Sequence, residues 1–302
     1  MKLAMVFPGQ GSQSVGMMRG YSGVGETLAE AGQALGADFL RLLEEGPAEK
    51  LNLTVNTQPA MVTAGIAAFR AWRALGGPMP EIVAGHSLGE YTALVAAEAI
   101  FFRECLPLVR FRAQAMQEAV PEGQGAMAAI LMLEDDAVRA ACAEAGGIVQ
   151  AVNFNAPGQV VIAGEKAAVE RAMQACKAKG AKRAMLLPVS APFHSTLMRP
   201  AAEKLKTYLD KVAIKRPAIA VLNNVDVASE TEPDRIKQAL VRQAASPVRW
   251  VETIRRMAEQ GVTHIVECGP GKVLAGMTKR IAPAVKSLAA ADRASLEEAL
   301  KC

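Results

Sequence analysis

Short apolar runs punctuate the chain: KLAMVF (2–7), EIVAG (81–85), AIAVLNN (218–224), THIVECG (263–269) and AVKSLA (284–289). Several of them close in glycine-containing loops and lead into segments whose apolar residues are spaced as on a helix. That alternation predicts a mostly parallel sheet covered by helices. Between Gly125 and Val189 the pattern tightens. AMAAILML predicts a strand, DDAVRAACAEAG a helix, IVQAVNFN and QVVIAG two strands, KAAVERAMQACKAKG a second helix and RAMLLPV a last strand. The order β-α-β-β-α-β is the ferredoxin-like arrangement. Gly146 and Gly180 stand just past the two helices, where stop signals belong. The expected architecture is α/β: a large domain over 1–124 and 190–302, with a small domain over 125–189 inserted into it.

The run EIVAG feeds the sequence Gly85-His86-Ser87-Leu88-Gly89, and EYTALVAAEAI continues it as a helix. Gly-x-Ser-x-Gly also occurs in ordinary tight turns. Between a strand and a helix, however, it is the context of a nucleophile elbow, in which the glycines permit a sharp turn and the hydroxyl projects at a helix N-terminus. A serine needs a base, and the chain has three histidines. His86 adjoins Ser87, where neighbouring side chains diverge, and reads as a packing or hydrogen-bonding residue. His264 lies within a strand. His194, in the loop SAPFHSTLM, can reach back over the sheet edge and is the best base candidate. No carboxylate is selected as a third member: Asp135 and Asp136 read as helix N-terminal charges, and Glu267 could approach only from its strand end. The loop FPGQGSQ after the first strand offers a backbone amide as the second donor of an oxyanion hole, the N–H of Leu88 being the first. Arg110 and Arg112 sit two residues apart on a predicted helix, about 200° around its axis. One of them can point inward as a bidentate clamp for a substrate carboxylate, and the other reads as a solvated charge.

Composition narrows the class. The chain has 302 residues, 51% of them hydrophobic and 21% charged, and a net charge of +4, too mild to imply nucleic acid. It would suit an acidic protein partner, although charge of this size also serves solubility alone. No apolar stretch reaches the ~18 residues of a membrane span. The apolar start before Pro8 is too short for a secretory signal, so a cytoplasmic location is expected. The five cysteines, Cys105, Cys142, Cys176, Cys268 and Cys302, form no Cys-x-x-Cys pair and read as reduced thiols, neither a disulfide framework nor a zinc site.

PGQGSQ, GHSLGEY, the arginine before AQAMQEA, NFNAPGQVVIAG, APFHS and ECGPGKVLAGM together make a specific set. Over essentially its whole length the chain resembles the malonyl-CoA:acyl carrier protein transacylases of bacterial fatty acid synthesis. The resemblance implies an α/β-hydrolase-like large domain with a ferredoxin-like insertion. It implies malonyl transfer from CoA to the phosphopantetheine thiol of an acidic acyl carrier protein, through an ester on Ser87 with His194 as base. It also implies that Arg112 binds the malonyl carboxylate, that Gln10 and Leu88 supply the oxyanion-hole amides, that the main-chain oxygen of Gln243 orients His194, and that His86 is auxiliary. No metal or redox cofactor is implied, and a monomer is expected. Phe193 leans towards malonyl, since bulk there would crowd a branched acyl group. The basic stretch KAKGAKR (177–183) is a candidate contact for the carrier protein. The sequence departs from the family at AAEAIFFRE, where Glu98 stands near a helix ending that is more often of a Gly-Ala-Leu type; this bears on the local turn and not on the catalytic set. Two rival functions share part of the pattern: a serine esterase or thioesterase, which has no use for a buried arginine, and a non-catalytic carrier-docking subunit, which has no use for the three residues together.

Overall fold

Strand β1 (Leu3–Phe7) is buried at all five positions, and its alternate residues enter two different cores. Leu3, Met5 and Phe7 face one apolar cluster, while Ala4 and Val6 face another, so both faces of the strand are covered by helices. A computed structural model describes residues 1–189 and 191–301; Ser190, at the head of the loop SAPFHSTLM, and Cys302 lie outside the described residues. The remaining strands are β2 (Ile82–Gly85), β3 (Gly125–Leu131), β4 (Val149–Ala156), β5 (Gln159–Glu165), β6 (Arg183–Leu186), β7 (Ala220–Leu222), β8 (His264–Cys268) and β9 (Lys286–Ala290). The protein is mixed α/β with two separate sheets.

The first sheet has the order β7-β2-β1-β8-β9, and all its pairings are parallel. Met5 on β1 stands between Val83 and Val266. Burial of side chains such as Phe7 and Val83 contributes roughly 1.5–3 kcal/mol each. The 21-residue helix Thr54–Ala74 packs its apolar length against this face, with Phe69 edge-on to Phe7 at 6.2 Å. Because β1 and β2 are central and parallel, the loops after their C-terminal ends lie side by side, and that edge carries the polar groups.

The second sheet is antiparallel, in the order β4-β5-β3-β6. Helices Asp135–Ala145 and Lys166–Ala178 cover one of its faces around Ile130, Ile162 and Val169. Its other face packs Met127, Val152 and Val161 against Met116 and Phe193. β4 is also stitched to the rest of the chain: Phe154 N–H donates to Val248 O (3.0 Å) and Val248 N–H to Val152 O (2.8 Å).

Several predicted runs are trimmed. AIAVLNN forms a strand only at Ala220–Leu222, because Asn223 and Asn224 turn their amides onto backbone: Asn223 Nδ2 donates to Ala228 O and Asn224 Nδ2 to Gly85 O. AVKSLA pairs two residues later than its apolar start, as Lys286–Ala290. At Glu98 the helix Gly89–Ala96 ends with Ala99 N–H on Leu94 O and Glu98 N–H on Val95 O. This is a Schellman ending, whose left-handed position glycine favours; Glu98 occupies it at φ 60°. Cys105, Cys142, Cys176 and Cys268 are free and buried. Among the described residues no helix is long and apolar enough to cross a membrane, and no His/Cys/Asp/Glu group could hold a metal ion.

Candidate active site

The turn after β2 has the shape that its two glycines dictate. A Cβ on Gly85 would lie 1.8 Å from Gly89 C, and one on Gly89 would lie 2.1 Å from Phe7 O. Neither position admits a side chain, so strand, turn and helix close on one another and on the end of β1. Ser87 is left at φ 52°, a strained conformation for a residue with a Cβ. Asn224 clamps it: Ser87 N–H donates to Asn224 Oδ1 (2.7 Å), and Asn224 Nδ2 donates to Gly85 O (2.8 Å). The loop after β1 packs beside the turn, with His86 N–H on Phe7 O at 3.0 Å.

His194 enters from the loop that follows β6. It too is left-handed, at φ 64°, in a turn that Ser195 Oγ secures by donating to Pro192 O. Its Nε2 lies 2.6 Å from Ser87 Oγ, and its Nδ1 lies 2.9 Å from Gln243 O. A carbonyl can only accept, so Nδ1 carries the hydrogen and Nε2 is free to take the serine proton. Gln243 is in the last turn of helix Pro233–Ala244, where carbonyls lack intrahelical partners and the helix dipole favours a positive imidazole. Burial, with the Arg112 guanidinium as a second cause, lowers the His194 pKa to about 3, so the resting ring is neutral.

Arg112 lies on helix Phe102–Glu118 and is only 2% exposed. Its Nη1 donates to Gln58 Oε1 (2.9 Å) and its Nη2 to Gln243 Oε1 (2.9 Å), with Ser87 Oγ 3.3 Å from Nη2. The guanidinium stands over the Tyr91 ring at 5.3 Å. Two amide oxygens hold this buried cation without neutralising it. Glu90, 2% exposed, accepts from Gln243 Nε2 (3.0 Å) and from Asn224 N–H (2.8 Å) on the same oxygen. Burial pushes its pKa up to about 7, against those bonds and the Arg112 charge.

These groups open onto a cavity of ≈150 Å³. Gln10, Ser87, Leu88, Arg112 and His194 line its polar side, and Met116, Met127, Leu187, Val189 and Phe193 its apolar side. Chemically, the arrangement can acylate a serine, with a neutral base in place and a spare cation beside the acyl group. A family model described as an acyl transferase domain matches residues 4–296. The chain belongs to the acyl transferase domain family. The malonyl CoA-acyl carrier protein transacylase of Escherichia coli strain K12 is 54% identical over 306 residues, 99% of each chain. A crystal structure of acyl-carrier-protein S-malonyltransferase from Burkholderia pseudomallei covers 100% of both chains, with a TM-score of 0.98 and 63% identity. A malonyl-transacylase solved in complex with its type II PKS acyl-carrier protein has a TM-score of 0.97 and 51% identity, covering 100% of this chain and 99% of that one.

In this acyl transferase Ser87, His194, Arg112 and Gln243 converge, and Gln10 and Leu88 line the same cavity. His86 stands one step aside, with its Nε2 2.8 Å from Asn155 Oδ1 and its ring 5.4 Å from Trp250. Burial lowers its pKa. Glu267 does not approach His194; its Oε2 instead accepts from Ala275 N–H in the first turn of helix Val273–Ile281. Arg110 is not the solvated charge the helical wheel suggests. Its guanidinium lies 5.4 Å over Phe39, and its Nε is buried without a partner, because this helix is packed on several sides. His264 sits at the head of β8 with its Nδ1 2.9 Å from Thr263 Oγ1. Sequence reasoning missed Gln58, Glu90, Asn155 and Asn224. The asparagine pair closing the β7 run was a usable signal, since asparagine is a poor strand residue that bonds backbone.

Proposed function

We propose that this acyl transferase moves a malonyl group from the thiol of CoA to the phosphopantetheine thiol of an acyl carrier protein, by a two-step exchange through malonyl-Ser87. The observation that carries the reading is Arg112: a desolvated cation, 3.3 Å from the serine oxygen, whose two hydrogen-bonding partners beside it are neutral amides. A short acyl chain ending in a carboxylate completes that site. A neutral ester, the substrate of the rival hydrolase, leaves the cation unpaired.

Ser87 Oγ attacks the thioester carbonyl carbon as its proton passes to His194 Nε2. The oxygen that becomes anionic is received by the amides of Leu88, at the start of helix Gly89–Ala96, and Gln10. Collapse breaks the C–S bond, and His194 returns the proton to the departing CoA sulfur. The carrier thiol then gives its proton to His194 and attacks the ester. The C–O bond breaks, and Ser87 Oγ recovers the proton. No metal or redox group enters either half. The Gln243 carbonyl on Nδ1 serves where a carboxylate would in a triad, steadying the ring.

The reading extends to the architecture: an α/β-hydrolase-like large domain over 1–124 and 190–302 and a ferredoxin-like small domain over 125–189. The parallel sheet with its elbow after β2 supports the first, and the antiparallel order β4-β5-β3-β6 with two helices on one face supports the second. It also includes a monomer working in the cytoplasm, with Lys177, Lys179, Lys182 and Arg183 as a basic contact for an acidic carrier. Intact-protein mass measurement after separate mixing with malonyl-CoA, methylmalonyl-CoA and acetyl-CoA tests the function. A malonyl adduct discharged by carrier thiol supports transfer, whereas an adduct lost to water at the same rate with or without thiol indicates a hydrolase.

A further inference from the structure

Glu90 is a buried carboxylate that the transfer chemistry does not use. Burying such a group is costly unless it is hydrogen-bonded, and here the neighbours on its own helix are Tyr91, Thr92 and Ala93. Its Oε2 accepts from the backbone N–H of Asn224 and from the side-chain amide of Gln243, two residues that each hold a different part of the site. Through Asn224 it reaches the serine turn, since the same asparagine binds the Ser87 amide and the Gly85 carbonyl. Through Gln243 it reaches the cation, since that glutamine accepts Arg112 Nη2 on its Oε1.

A side-chain amide has a donor end and an acceptor end, and only one orientation serves a guanidinium. Gln243 Nε2 sits between two acceptors, Ser87 O at 2.9 Å and Glu90 Oε2 at 3.0 Å. With the donor end fixed there, Oε1 must face Arg112. Without Glu90, the amide loses its side-chain acceptor and keeps only the Ser87 carbonyl. The guanidinium then loses the fixed oxygen that aims it at the acyl group. The His194 contact depends less on this, because it uses the main-chain oxygen of Gln243.

We propose that Glu90 is a positioning residue that sets donor specificity, holding Arg112 in register with Ser87 through the amide of Gln243 and favouring carboxylate-bearing acyl groups over neutral ones. It touches neither substrate nor the reacting atoms, and it acts on the clamp more than on the base. The inference rests on the malonyl-transfer reading. Were that reading wrong, the wild-type enzyme would take up no malonyl group, whereas failure of the inference leaves wild-type loading intact and shows only in Glu90 variants.

The test compares kcat/KM for malonyl-CoA and acetyl-CoA. Glu90→Met keeps the length and removes the acceptor; it is expected to lower malonyl transfer about 100-fold, the scale of a small misplacement of a reacting group, and acetyl transfer by less than about 10-fold. Glu90→Gln retains an oxygen able to accept both bonds and is expected to rescue both donors to within a few-fold of wild type. In a cycle with Gln243→Met, whose main-chain oxygen remains, the double variant is expected to be no worse than the poorer single one. Should Glu90→Met not fold, Glu90→Asp carries the test: it withdraws the carboxylate by one methylene and is expected to shift the malonyl-to-acetyl ratio in the same direction. Equal losses on both donors, multiplicative losses in the cycle, no rescue by Glu90→Gln, or an unchanged ratio in Glu90→Asp would each overturn the proposal.

Discussion

The helix Gly89–Ala96 has a left-handed residue just outside each end: Ser87 on entry at φ 52° and Glu98 on exit at φ 60°. The backbone strain is of one kind, but the surroundings differ. Ser87 is pinned by Asn224 and by two glycines that admit no Cβ, and a base and a cation converge on its hydroxyl. Glu98 is exposed, and its conformation serves only to close the helix. His194, also left-handed at φ 64°, belongs with Ser87. A positive φ on its own therefore marks a turn. It marks a site where buried polar groups fix it and a reactive atom is aimed by it.

The comparison breaks first at Ser87. Ser87→Ala is expected to abolish covalent labelling by malonyl-CoA while leaving the thermal transition in place, since the deleted oxygen forms the ester and fills little volume. A malonyl adduct on that variant would remove Ser87 from its role. His194→Ala is expected to slow acylation by about 10²–10⁴-fold, the span of a lost general base, and His86→Ala by less. With its pKa held at about 3, His194 stays neutral on acidification. Acylation by the native enzyme is thus expected to stay level between about pH 7.5 and 5.5, where a base at the ordinary value of ~6.5 would lose about tenfold. Folding follows the opposite preference: the ring resists protonation only when folded, so its contribution is complete above the unfolded pKa and is lost as pH falls from there towards 3. At the exit end the effect is small and reversed. Glu98→Gly is expected to stabilise the fold by about 0.5–1 kcal/mol, read from denaturant midpoints, without changing transfer. A loss of activity in Glu98→Gly would show that the two ends are not separable.

Much of this contrast was legible in the sequence, though unevenly. The apolar runs located the strands of both sheets to within a few residues; for β1 and β2 this is because burial on both faces writes itself as a continuous run, whereas β6 is largely exposed. Gly85, Ser87 and Gly89 disclosed the elbow, and with three histidines to choose from His194 was reachable by elimination. The groups that hold these residues were not legible. Glu90 meets Asn224 and Gln243 across more than 130 residues of chain, and Arg112 meets Gln58 and Gln243 from separate helices. The Glu90–Asn224 meeting depends on β7 lying next to β2, and the Arg112 meetings on how separate helices pack, neither of which periodicity can express. Gln243 entered the sequence reading only through the family resemblance, and the contact of Arg110 with Phe39 escaped the helical wheel because it is made with another helix.

In the proposed transfer a buried cation, and not only a serine with its base, defines the donor. The direct measurement is the malonyl-to-acetyl rate ratio of Arg112→Ala against the native enzyme. Removing one member of a desolvated charge pair costs about 3–5 kcal/mol, which corresponds to two to three and a half decades of malonyl transfer. Acetyl transfer has no carboxylate to lose and is expected to hold or improve. Arg112→Lys is expected to recover part of the malonyl rate, since it keeps the charge and loses the planar fork. If Arg112→Ala instead depresses both donors equally, Arg112 is structural, and the claim of a carboxylate-specific transferase is contradicted.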